Sequence, residues 1–60
     1  MNNQELINRE RIKKLWIDVD TYNNVIQVAK RQGNEKILLE AIEAKLKTLE
    51  QIEKLLGAST

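Results

Sequence analysis

The stretch Lys14-Leu15-Trp16-Ile17-Asp18-Val19-Asp20 decides the fold, because it can be read with either of two periods. With a period of two, Leu15, Ile17 and Val19 form one row and Lys14, Trp16 and Asp18 the other, the pattern of a half-buried strand. With a period of 3.5, Leu15 and Val19 join Ile12, Tyr22, Ile26 and Ala29 at consecutive a and d positions of a heptad, all six apolar. The first reading gives a strand over 12–19 followed by a helix over 20–32 that Asp20 caps, with Tyr22, Val25, Ile26 and Ala29 on its inner face. The second gives one helix over residues 5–32. Ile17, Asp18, Val19, Asp20, Thr21, Asn23 and Asn24 are weak helix formers, and this density favours the strand.

Beyond this stretch the chain is easier to divide. Gly33-Asn34 is the clear punctuation mark: Gly takes the left-handed conformation that ends a helix, and Asn caps the next one. A long helix is expected over 35–56, where Ile37, Leu38, Ala41, Ile42, Leu46, Leu49, Ile52 and Leu56 recur at helical spacing. Glu43 with Lys47, and Glu50 with Lys54, place Glu four residues before Lys on its outer face. Gly57 is expected to end it, leaving a tail over 57–60. Residues 1–11 read as an N-terminal arm, and the whole chain as a single domain.

A lone strand leaves both of its edges unpaired, and its backbone polar groups need partners. The economical solution pairs it with the same strand of a second molecule about a twofold axis. The fold expected on the first reading is therefore mainly α with one short β-strand, assembled as a homodimer through a two-stranded intermolecular ribbon. The alternative is an all-α helical hairpin bent at Gly33, which could dimerise into a four-helix bundle.

Composition sets limits on function. Sixty residues without Cys or His lack disulfides, the best zinc ligands, the usual general base and the best nucleophile. No enzyme, cofactor or metal is expected. A domain this small folds alone only marginally, and a second copy is the staple left to it. No apolar run approaches the length of a membrane span, and the N-terminus lacks the basic start and apolar core of a signal peptide, so a cytoplasmic location is expected.

The formal net charge is +1, with ten basic and nine acidic side chains, so no strong field announces a polyanionic partner. The distribution says more. Residues 1–33 carry six basic and four acidic groups, and Arg9, Arg11, Lys13 and Lys14 cluster before the ambiguous stretch, where they could meet phosphates.

Three segments together resemble the ribbon-helix-helix family of DNA-binding repressors. Lys14-Leu15-Trp16-Ile17-Asp18-Val19 sits where that family's strand stands. Thr21 to Gly33, with apolar Tyr22, Val25, Val28 and Ala29, resembles its first helix, and Ile37-Leu38-Leu39-Glu40-Ala41-Ile42 the apolar pairs of its second. The likeness covers about residues 12–46 as a pattern of residue types. It implies a homodimer that represses transcription by sequence-specific binding to double-stranded DNA, its ribbon lying in the major groove. Lys14 and Trp16 would face the groove, with Ile12 or Asp18 at one end of that row. Asn34 and Glu35 would stand near a phosphate at the start of the second helix. With the basic cluster, the DNA-binding set is then Arg9, Arg11, Lys13, Lys14, Trp16 and Asn34. The hairpin reading implies instead a small regulatory protein that binds other proteins, or RNA through its basic end. On either reading, the helix over 47–56 could offer an apolar face to a protein partner.

Overall fold

The computed structural model describes residues 3–58, and it contains two helices joined by two residues: α1 (Asn3–Gln32) and α2 (Glu35–Ala58). No strand occurs among the described residues. The ribbon-helix-helix architecture is thus overturned, and the helical hairpin is the fold. Residues 12–19 lie within α1, as do arm residues 3–11, and α2 runs past Gly57 to Ala58. The ends of the expected arm and tail, residues 1–2 and 59–60, lie outside the described residues.

Burial explains why the period of 3.5 wins. Val19 is 5% exposed whereas Ile17, two residues earlier, is 64% exposed. A strand would put them on one face. The buried or half-buried row is Ile12, Leu15, Val19, Tyr22, Ile26 and Ala29, and Asn8 extends it one step toward the N-terminus. The weak helix formers cost at most about 0.7 kcal/mol each, while a fully buried aliphatic side chain contributes about 1.5–3 kcal/mol. Tertiary packing overrides propensity here. Thr21 turns its hydroxyl back onto the Ile17 carbonyl oxygen at 3.1 Å, the local bond available to a threonine inside a helix.

Gly33 makes the bend. Its φ is +65°, which a residue with a Cβ adopts only at a cost. Its N–H donates to the Lys30 carbonyl at 3.2 Å and the Asn34 N–H to the Ala29 carbonyl at 2.9 Å, the paired bonds of a Schellman ending. Asn34 then starts α2: its Oδ1 accepts from the Ile37 N–H at 3.2 Å and its carbonyl from the Leu38 N–H at 3.0 Å.

Folding the chain there lays α2 along α1, and the molecule is 47 × 14 × 10 Å. The α2 residues turned toward α1 are Leu38, Ala41, Lys45, Thr48, Ile52 and Leu55, all buried or half-buried and spaced alternately three and four apart. The core is thin. Val19, Ile26, Ala29, Ala41 and Ile52 are its buried apolar members, and no described side chain is enclosed completely. Among the described residues no helix is long and apolar enough to cross a membrane.

Candidate interaction surfaces

The apolar stripe expected on α2 divides into two rows. Leu38, Ala41 and Ile52 belong to the row that meets α1, alongside Lys45, Thr48 and Leu55. Ile42, Leu46, Leu49 and Leu56 belong to a second row, one residue further round, which Leu39 begins. Leu39 is 66% exposed and Leu46 55%; Leu56 is exposed too, and Ile42 and Leu49 are half-buried. A helix that is apolar over so much of its circumference has more to bury than one neighbour can cover. In heptad terms this row holds the e and b positions of α2. The e positions of α1 flank the same side of the hairpin, and Trp16, 49% exposed, is one of them. The indole therefore borders the uncovered face of α2 and does not read a groove from a strand.

The basic cluster also divides. Arg9 and Lys13 are four residues apart and share the flank of Trp16, where Lys13 is within 3.8 Å of Glu10. Arg11 and Lys14, three apart, fall on the opposite flank. There they line a groove of about 370 Å³ with Leu15, Gln51, Lys54 and Leu55. Apolar surface continues from it across α1, through a shallow depression lined by Leu6, Ile7, Glu10, Arg11 and Lys14. Lys14 and Trp16, which a ribbon would point the same way, diverge by roughly 200° on a helix. Asn34, expected near a phosphate, spends its side chain on the α2 cap.

Among the described residues the ion pairs are Lys13–Glu10 and Lys47–Glu43, the latter at 3.3 Å. Of the two expected Glu–Lys pairs on α2, Glu43–Lys47 forms, and Lys54 points into the groove shared with Arg11 and Lys14. Sequence reading missed Lys54 and Gln51 as neighbours of that cluster. The available signal was the bend: folding the heptads at Gly33 brings residues 51–55 level with 11–15.

A second polar feature sits in the seam itself. Asn8 is buried and its Oδ1 accepts from Gln4 Nε2 at 3.0 Å. Thr48 is buried and donates to the Ala44 carbonyl at 2.9 Å. Each of these bonds stays within its own helix.

Comparison with known proteins gives no match among family models, curated proteins or solved structures.

Proposed function

We propose that this chain is a cytoplasmic, non-enzymatic interaction protein that works as a homodimer, two hairpins joined into a four-helix bundle through the uncovered row of α2. The observation that carries this reading is the row Leu39, Ile42, Leu46, Leu49 and Leu56, of which three members are exposed in the single hairpin. With Glu53 at the step between Leu49 and Leu56, its spacing alternates three and four, that of a helix-packing seam and the same as in the row already used against α1.

Surface area supports a second copy as the occupant. A compact protein of 7.0 kDa exposes about 4000 Å² by the scaling of surface with mass. This chain exposes 4867 Å². The surplus of about 800 Å² goes with the elongated shape of the hairpin and is comparable to the share that each partner gives to a standard interface.

The row is also self-complementary. An antiparallel twofold between Leu46 and Leu49 sets each against the other in the second copy and brings Leu39 to Leu56. Glu53, the charged member of the row, then falls opposite Ile42, where its carboxylate can turn out to water. A parallel pairing would oppose Glu53 to its own copy.

Sedimentation equilibrium at low micromolar protein, combined with thermal melts over a wide concentration range, tests the proposal. A dimer whose melting midpoint rises with concentration is expected, because folding and association are linked. A folded monomer with a fixed midpoint would rule it out.

A further inference from the structure

The flank opposite the dimer row carries its own binding feature. Arg11 and Lys14 from α1 and Lys54 from α2 converge on one groove whose floor is Leu15 and Leu55. Neither ion pair among the described residues engages any of the three. The one carboxylate beside the adjoining depression, Glu10, is within 3.8 Å of Lys13. The groove's volume, about 370 Å³, is at the lower end of the range of ligand-binding clefts, about 300–1,000 Å³.

We infer that this groove docks an acidic amphipathic helix from a protein partner, which lays its apolar face on Leu15 and Leu55 while its carboxylates meet Arg11, Lys14 and Lys54. Charge complementarity selects the sign of the partner: three cations line the groove and no carboxylate does. Although Glu10, Asp18 and Glu50 stand one turn away along the helices, none of them is paired with these cations. The apolar floor selects its class. A phosphate backbone needs cations and gains nothing from leucine, whereas a peptide helix anchors through apolar residues at i, i+3, i+4 and i+7. The path from Leu55 across Leu15 to Ile7 runs between and beside the two helices, and a third helix would bury it much as α1 and α2 bury each other.

The probe is a synthetic peptide of about two heptads with Leu at a and d and Glu or Ala elsewhere, titrated against the full chain by fluorescence anisotropy. A composition-matched scrambled peptide and a short duplex DNA are the comparison ligands. The peptide should bind, and added salt should weaken it. Lys14→Glu with Lys54→Glu should lower its affinity by about tenfold or more, and a peptide with Lys in place of Glu should bind that variant instead. Arg9→Glu with Lys13→Glu, on the other flank, should leave binding within about twofold. Circular dichroism checks that each variant is helical, and Lys14→Gln with Lys54→Gln replaces the double reversal if that one unfolds.

Absence of peptide binding overturns the inference. So does equal binding of the scrambled peptide, equal loss in the Arg9 and Lys13 variant, or tighter binding of the duplex than of the peptide. Sedimentation of the same Lys14 and Lys54 variant separates this site from the dimer: a dimer that no longer binds peptide locates the loss in the groove, and dimer failure in wild type leaves the peptide titration standing.

Discussion

The backbone amide of Asn34 donates to the Ala29 carbonyl oxygen at 2.9 Å, so the residue that begins α2 also completes the ending of α1. The hairpin depends on this two-residue joint. Gly33→Ala should destabilise by about 1 kcal/mol, the cost of a Cβ at positive φ. The new methyl meets no atom within 4 Å, so no clash adds to that cost, and Gly33→Asn should cost less. Asn34→Ala removes the bond from the Ile37 amide and should cost about 1 kcal/mol. Urea unfolding of the three variants checks the order, and an Ala substitution at Gly33 without effect would contradict it.

Ile17 and Val19 give opposite outcomes to the same chemistry. Ile17→Lys places an amine where the side chain is already 64% exposed, and stability should change by no more than about 0.5 kcal/mol. Val19→Lys drives the charge into the seam between the helices and should unfold the hairpin. Circular dichroism distinguishes the pair. Unfolding by Ile17→Lys with tolerance of Val19→Lys would reverse the assigned faces.

This pair also shows how much of the fold could be read from the chain. The heptad row from Ile12 to Ala29 and the joint at Gly33-Asn34 were both visible, and the hairpin was one of the two architectures they allowed. Propensity pointed to the strand because Asp18, Asp20, Thr21, Asn23 and Asn24 crowd about two turns. Most of these lie on the outer face of α1, where each costs tenths of a kcal/mol and breaks no packing. The row facing α1 on the second helix was not legible for the opposite reason. Apolar residues cover so much of α2 that spacing alone cannot say which row meets α1. Lys45 and Thr48 occupy seam positions while Leu39 and Leu46 stay outside. The basic groove was hidden because it joins residues some forty positions apart. Only the register of the fold-back brings them together.

Asn8 sits buried in a row otherwise made of apolar residues, its side chain bonded one turn back to Gln4. A polar residue in such a seam fixes alignment at some cost in stability. Asn8→Leu should therefore raise the thermal midpoint by a few degrees, about what 1 kcal/mol gives in a domain this size. It should also broaden the range of species seen by light scattering. A lowered midpoint would mean that the Asn8 amide stabilises the seam.

The central claim is that α2 joins two copies, and two lysine substitutions test it most directly. Leu46 is 55% and Ile17 64% exposed in the hairpin, so in an isolated monomer Leu46→Lys and Ile17→Lys should be tolerated alike. In the proposed dimer only Leu46 is covered. Sedimentation equilibrium at low micromolar protein should find wild type and Ile17→Lys as dimers, and Leu46→Lys as a dissociated, less helical chain. If Leu46→Lys sediments as wild type does, whether that species is monomer or dimer, the row on α2 is not the interface.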